Sequence, residues 1–239
     1  SARMAQALEQ QLGPRIDDGL VVVKYGHGAP THTIRIVEAG HPIPDAAGLE
    51  ASHQVVALAK TLAADDLLIV LLSGGASSLL PAPVSGIALQ DKQQTTKLLL
   101  RSGATIHEIN VVRKHLSSVK GGQLAAATQA RVASVILSDV IGNDLGTIGS
   151  GPTAPDPTTF QEAWEIVERY GVSKAIPASV RNRLQMGMKH RAAETPIGAP
   201  EPIPAPTPAD MGAEPTPAPA EPEVKADPDV EALAAAVQA

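Results

Sequence analysis

The sequence contains no cysteine and only four aromatic residues in 239. The lack of cysteine excludes disulfide bridges and thiolate-bound metal sites. The aromatic residues are Tyr25, Phe160, Trp164 and Tyr170. They are too few to form a stacking platform for single-stranded nucleic acid. Hydrophobic residues nevertheless make up 44% of the chain, so we expect a core built from aliphatic side chains.

Long apolar runs are also missing. No stretch is long enough to cross a bilayer and no signal peptide opens the sequence, so we expect a cytoplasmic protein without a membrane partner. The formal net charge is −6, and residues 201–239 hold eight acidic residues and one lysine, whereas residues 1–200 hold 17 acidic and 18 basic residues. A nearly neutral body with an acidic tail does not favour nucleic-acid binding.

Proline divides the chain into three segments. Eleven of its 21 prolines lie in residues 196–239. Because proline lacks a backbone N–H group, this Pro/Ala-rich stretch cannot propagate a helix or a strand ladder. We therefore predict a folded domain over residues 1–195, a disordered linker over residues 196–228, and a short helix over residues 229–239.

The pattern of apolar runs predicts an α/β fold. Four short runs, GLVVVK, TIRIVEA, LLIVLL and RVASVIL, read as strands and are separated mostly by segments with helical spacing. This alternation indicates a mainly parallel sheet flanked by helices. Ligands bind at the carboxyl ends of strands in such sheets, and this rule brings residues 73–78 and residues 138–150 to the same edge.

The third strand ends in an unusual loop, SGGASS. Two glycines let the backbone turn sharply and approach another group, and the serines add hydroxyl groups. A strand that ends in this way and enters a helix is typical of a site for phosphate or carboxylate. A tight turn that binds nothing accounts for the same residues equally well.

Acidic residues follow the fourth strand. Asp139 comes directly after the run SVILS, and Asn143 and Asp144 follow in the same loop. A carboxylate at this position can hold Mg²⁺ or accept a proton from a hydroxyl group. The alternative is that these residues cap a turn, and for Asp144 the two interpretations are evenly balanced.

Histidine and basic residues complete the candidates. His41 and Asp45 lie on either side of two prolines in the segment AGHPIPD, and His41 either binds a ligand or bonds the backbone of its own loop. Arg113, Lys114, His115 and Lys120 form a basic run. The usual interpretation of such a run is a solvated face, and the glycine pair after Lys120 strengthens the case that one of these cations faces the serine loop.

Four segments together resemble the class II glycerate kinases, the D-glycerate 2-kinase family, whose members are often labelled hydroxypyruvate reductase. The segments are AGHPIPD, LLSGGASSLLPAP, SGATIHEINVVRKHLSSVKGGQLA and SDVIGNDLGTIGSGPTAPDPTTF. The resemblance runs from the start of the chain to about residue 196. Their order and spacing make the match far more specific than any single segment.

The resemblance implies a Rossmann-like α/β domain beside a cleft, and ATP-dependent phosphorylation of D-glycerate to 2-phosphoglycerate with Mg²⁺. It makes Asp139 the leading catalytic residue and a Mg²⁺ ligand, with Asp144 as a second ligand. His41 and Lys114 become secondary catalytic candidates. The residues implied to bind phosphate or the glycerate carboxylate are Ser73, Gly74, Gly75, Ser77 and Ser78.

The sequence also departs from the family pattern. A strand with a Gly-x-Gly-Lys-Ala segment usually precedes the first helix, and a second domain with a catalytic arginine follows, and neither is in this sequence. Ala76, Asn143 and Leu145 replace residues that are common in the family. We therefore expect that the chain by itself phosphorylates glycerate at no appreciable rate. Without that first strand, one edge of the sheet lacks a partner. Self-association to a homo-oligomer is therefore compatible with the sequence.

Two other functions remain open at this point. One is a non-catalytic ligand-binding or scaffold domain with an acidic, proline-rich tail for partners. The other is an NAD-dependent hydroxypyruvate reductase. Gly26 and Gly28 match part of a dinucleotide fingerprint, but Thr31 occupies the place of its third glycine, so the evidence for NAD is weak.

Overall fold

The computed structural model describes residues 1–138, 140, 142–189 and 194–196. Asp139 lies outside the described residues, as do the predicted C-terminal helix and all of the predicted linker except Pro196. Within the described part of the chain, no helix has the length and apolar character needed to cross a membrane.

The described residues form an α/β structure, as predicted. The strands are β1 (Gly19–Lys24), β2 (Ile34–Ala39), β3 (Leu67–Leu72) and β4 (Arg131–Ile136). The helices are α1 (Ala2–Leu12), α2 (Ala46–Thr61), α3 (Ala76–Leu79), α4 (Leu89–Arg101), α5 (Ile106–His115), α6 (Gln123–Ala126), α7 (Phe160–Arg169) and α8 (Ala178–Met188). All four strands coincide with the four apolar runs of the sequence.

The strands pair in two parallel ladders. β1 pairs with β2 from Gly19 opposite Ile34, and β3 pairs with β4 from Leu67 opposite Arg131. The predicted parallel direction is confirmed. Within the described residues the ladders remain two separate two-stranded sheets.

An apolar cavity of about 660 Å³ lies between the two sheets, and we call it the inter-sheet slot. It touches consecutive residues of β1, from Gly19 to Val22, and every residue of β3, from Leu67 to Leu72. Because successive side chains of a strand face opposite sides of the sheet, a cavity that touches consecutive residues runs along a strand edge. The open edges of β1 and β3 therefore face the same slot.

The connection between β1 and β2 contains no helix, which is unusual for parallel neighbours. Glu9 of α1 secures the end of this loop. Its carboxylate accepts hydrogen bonds from the backbone N–H groups of His32, Thr33 and Ile34 at 2.8, 2.7 and 2.6 Å. These bonds, the one from Ile34 first, lower the pKa of Glu9 below its usual value.

The main core lies among α4, α5, α7 and α8. Phe160 is fully buried there and packs with aliphatic side chains such as Leu99, Ile109 and Leu184. A Cβ at Gly187 of α8 would lie only 2.0 Å from Cγ of Phe160, so only glycine fits against this ring. The core is aliphatic around one phenylalanine, as the composition predicts, and it supports one wall of the site.

Candidate active site

A cleft of about 670 Å³ opens at the carboxyl ends of β3 and β4. Its walls come from residues 41–44, residues 73–78, α4, α5 and the loop over residues 144–150. The Oγ atoms of Ser77 and Ser150 lie 3.0 Å apart and join the two loops. Ser150 also donates a hydrogen bond to Oδ1 of Asn110 in α5 at 3.1 Å. The two loops that the sequence brings to one edge therefore meet there.

The serine loop, residues 73–78, turns sharply from β3 into α3. Gly75 precedes α3 with a φ of 84°, a left-handed conformation that favours glycine. The hydroxyl group of Ser78 donates to the carbonyl of Gly75 at 3.0 Å and closes the turn, while Oγ of Ser73 lies 2.8 Å from Oγ of Ser1. All five residues predicted to bind the substrate or phosphate line the cleft, and their role as ligand-binding residues stays a prediction.

His41 stands at the rim of the cleft, directly against Gly75. A Cβ at Gly75 would lie 2.7 Å from both Cδ2 and Nε2 of the imidazole. Burial against this loop, followed by the charges of Lys24 and His27, lowers the pKa of His41. The ring is therefore neutral near neutral pH, when it can accept a proton or a hydrogen bond.

Lys114 lies beside Gly146 of the loop over residues 144–150 and is not among the residues that line the cleft. Its Nζ atom is 3.3 Å from Oδ1 of Asp156, whose side chain is fully buried. Hydroxyl groups of Thr158 and Thr195 donate to the same carboxylate at 2.7 and 2.8 Å. This arrangement is a buried ion pair, and the predicted catalytic role of Lys114 stays a prediction.

The pKa of Asp156 reflects two opposing influences. Burial is the largest and raises it, but the hydrogen bonds from Thr158 and Thr195 and the charge of Lys114 together outweigh burial. The pKa therefore lies below its usual value, and the carboxylate is ionised near neutral pH. The charge of Lys114 thus helps to keep the carboxylate of Asp156 ionised in the protein interior.

Asp144 lines the cleft, but both of its carboxylate oxygens serve its own turn. Oδ1 accepts from the N–H group of Gly146 at 3.1 Å, and Oδ2 accepts from the hydroxyl group of Thr147. These contacts, that of Thr147 first, lower the pKa of Asp144. One such carboxylate does not make a Mg²⁺ site. The described residues contain no cluster of three or more His, Cys, Asp or Glu side chains that could hold a metal ion.

Three basic residues surround the back of the serine loop, and we call them the cation cluster: Lys92, Arg113 and Lys120. Nζ of Lys120 and a terminal nitrogen of Arg113 donate to the carbonyl of Ser77 at 2.8 and 3.4 Å. Nζ of Lys92 donates to the carbonyl of Pro81. Lys92 and Lys120 are buried, and Arg113 keeps part of its surface in the cleft.

Burial dominates the electrostatics of this cluster. It lowers the pKa of Arg113 to about 10, and it lowers those of Lys92 and Lys120 well below their usual range, with added repulsion from Arg113. Such desolvation disfavours the charged forms and makes a nearby anion favourable. The cluster therefore gives the cleft a floor that attracts negative charge.

The sequence revealed this cluster only in part. It grouped Arg113 and Lys120 and raised the case for one of them facing the serine loop, but it favoured a solvated face, which their burial overturns. Lys92 gave no functional signal. Its helical spacing with Leu89, Thr95 and Leu99 would have placed it on the buried face of α4.

Comparisons with known proteins agree with this architecture. The chain is 43% identical over 195 residues to the glycerate 2-kinase of Pyrococcus horikoshii, covering 82% of this chain and 44% of that protein. It is 44% identical over 209 residues to an Agrobacterium vitis protein named as a hydroxypyruvate reductase, covering 87% of this chain and 47% of the relative. The chain thus spans about half the length of these relatives.

The crystal structure of a glycerate kinase from Thermotoga maritima superposes with a TM-score of 0.78 at 41% identity, covering 85% of this chain and 48% of that one. The similarity to glycerate kinases that the four sequence segments indicate is therefore confirmed. Residues 1–185 match the family model described as "Domain of unknown function (DUF4147)". The chain belongs to this DUF4147 family.

Proposed function

We propose that this chain is the cleft-bearing part of an ATP-dependent kinase that converts D-glycerate to 2-phosphoglycerate. One observation carries the proposal: the serine loop, His41 and the cation cluster meet in one cleft at the carboxyl ends of β3 and β4. Ligands of α/β proteins bind at this edge. The similarity to glycerate kinases supports the choice of reaction.

The cleft fits the charges of these reactants. D-glycerate carries a carboxylate and ATP carries several phosphate charges. Phosphoryl transfer depends mainly on positioning and on charge stabilisation around the moving group. Arg113 and Lys92 are the members of the cation cluster that line the cleft, and they form its basic floor. These groups together hold negatively charged reactants against the serine loop.

His41 is suited to contact the hydroxyl group of the acceptor. Its neutral imidazole lies at the rim of the cleft against the serine loop. In this position it orients a substrate hydroxyl group or accepts its proton. Asp139, which the resemblance makes the leading catalytic residue, lies outside the described residues.

Two finer features belong to the same proposal. When bound, Mg²⁺ supplies charge neutralisation at the phosphates of ATP. The described residues offer only Asp144 toward such an ion, so no step here depends on it. We also expect the protein to act in the cytoplasm, where ATP is available.

The hydroxypyruvate reductase name of one relative raises a second candidate function. The glycine pattern that could bind NAD gives this second function little support in the structure. Gly26 and Gly28 lie in the loop between β1 and β2, which leads into a strand. A dinucleotide fingerprint instead opens a helix whose N-terminus holds the pyrophosphate. The kinase is therefore the better-supported function.

A chimera tests the proposed reaction. Residues 1–195 replace the matching segment of the Thermotoga maritima glycerate kinase, which supplies the other half of the protein. We expect ADP formation that depends on D-glycerate, with 2-phosphoglycerate identified by ³¹P NMR. If a chimera that is folded by circular dichroism forms no ADP with D-glycerate, or oxidises NADH with hydroxypyruvate, the proposed function is wrong.

A further inference from the structure

The cation cluster has no acidic partner among the described residues. The ion pairs in that part of the chain use Lys114, His115 and Arg169 instead. Lys92, Arg113 and Lys120 are bonded only to backbone carbonyls. A neutral carbonyl satisfies a donor but does not balance a buried charge. Three basic side chains without an acidic neighbour among the described residues therefore favour an anion that enters from the cleft.

Arg113 is the member that such an anion can reach. A guanidinium has five N–H donors in a planar fork, and only one bond, at 3.4 Å to the carbonyl of Ser77, is made to described residues. No buried side-chain nitrogen or oxygen in the described residues lacks a partner. The remaining guanidinium nitrogens are therefore those exposed where Arg113 lines the cleft.

The two lysines hold the wall in place behind this guanidinium. Lys120 fixes the carbonyl of Ser77, and Lys92 fixes that of Pro81. Both carbonyls belong to the segment that carries the serine loop into α4.

The geometry points to an oxyanion subsite in which Arg113, backed by Lys92 and Lys120, binds the planar anionic group of a reactant. The fork of a guanidinium matches a carboxylate or a phosphate with two parallel hydrogen bonds. The subsite rests on the proposed function for its two sources of that group: the carboxylate of D-glycerate and a phosphate of ATP. It explains how the cleft would distinguish a hydroxy acid from an uncharged polyol.

Binding to the intact 239-residue chain tests the subsite. Isothermal titration calorimetry measures D-glycerate, glycerol and ATP with the parent and with Arg113→Met. Glycerol carries the same kind of hydroxyl groups without the carboxylate. We expect the parent to bind D-glycerate more tightly than glycerol. We expect Arg113→Met to lower the affinity for D-glycerate or for ATP by about tenfold or more. Loss of D-glycerate affinity identifies the carboxylate as the group held, and loss of ATP affinity identifies a phosphate.

Two further variants control for charge and folding. Arg101→Met removes an exposed charge from the same helix as Lys92, at a residue that does not line the cleft, and should leave both affinities unchanged. Arg113→Lys keeps the charge but loses the planar fork, so its affinity should fall between those of the parent and Arg113→Met. If circular dichroism shows that Arg113→Met is unfolded, Arg113→Lys takes its place in the comparison.

The inference is overturned if the parent binds neither oxyanion, or if the Arg113 variants bind both as tightly as the parent does. It is also overturned if Arg101→Met weakens binding as much as Arg113→Met, since the effect is then one of general charge. These readouts need no turnover. An inactive chimera would refute the proposed function and leave the subsite standing, whereas an active chimera with unchanged binding in the Arg113 variants would refute the subsite alone.

Discussion

The imidazole of His41 occupies the space in which any side chain at Gly75 would lie. A Cβ on Gly75 would be 2.7 Å from Nε2 of His41. The close approach fixes the ring against the serine loop and places a neutral histidine at the rim of the cleft. The absent side chain of Gly75 is thus what allows the loop and His41 to share one site.

Gly75→Ala should displace His41, whereas Gly86→Ala should not. Both glycines have nearly the same positive φ, 84° and 85°, but nothing lies within 4 Å of a Cβ on Gly86. Each variant should lose about 1–2 kcal/mol of stability from backbone strain. Only Gly75→Ala should raise the pKa of His41 toward its ordinary value, because the exposed ring loses the contact with the serine loop that partly desolvates it. A pKa of His41 that is the same in both variants, measured by NMR titration, would refute the contact.

Gly187→Ala should destabilise the protein although alanine favours helices. In an exposed helix this change gains about 0.5–1 kcal/mol, but here the methyl group meets the buried ring of Phe160. We expect a loss of about 1–3 kcal/mol in urea unfolding, typical of overpacking. Met186→Ala, at an exposed neighbour in α8, should be nearly neutral. Adding Phe160→Leu to Gly187→Ala should cost less than the sum of the two changes, and strict additivity would contradict the clash.

The ion pair of Asp156 with Lys114 should make stability fall in acid. The folded pKa of Asp156 lies below its ordinary value of 3.8. Its contribution is therefore complete above that value and is lost as the pH falls through the lower, folded pKa. Asp156→Asn should cost about 3–5 kcal/mol near neutral pH by leaving a buried ammonium without its partner. It should also flatten the decline of unfolding free energy below about pH 4. An unchanged decline would rule out this role.

The open edges of β1 and β3 should make the chain self-associate. Unpaired strand edges recruit other strands, and a lysine on the edge blocks this pairing. Leu67 is exposed at the start of β3 beside the inter-sheet slot, and Leu137 is exposed after β4 away from it. In sedimentation velocity, we expect the parent to exceed its monomer mass of 24.6 kDa. Leu67→Lys should reduce this association and Leu137→Lys should not. A monomeric parent, or equal effects of the two changes, would contradict it.

Local sequence patterns were sufficient to predict the elements of this fold. Asp45 accepts from the N–H group of Gly48 at the start of α2, and Thr159 forms a capping box with Glu162 at the start of α7. Both helix starts follow from residues within one turn of each other. The strands can be predicted in the same way, because each short apolar run must be buried and is too short for a buried helix.

The sequence could not show in the same way which charged residues belong to the site. Lys114 and Lys120 look alike in the sequence, but Lys114 meets Asp156, which lies 42 residues further along the chain, whereas Lys120 reaches the carbonyl of Ser77. These partners are set by how α5 packs on the loops. The separation of the strands into two sheets likewise depends on long-range pairing, which no local pattern contains.

The most direct test of the account is to map where D-glycerate binds on the chain. Backbone amide spectra of the ¹⁵N-labelled protein are recorded as D-glycerate is added, with glycerol as the matched control. We predict that D-glycerate shifts the amide signals of the serine loop, His41, Arg113 and Ser150, and that glycerol shifts them much less. Shifts that appear only around the inter-sheet slot, or equal responses to the two compounds, would show that the cleft at the ends of β3 and β4 is not the substrate site.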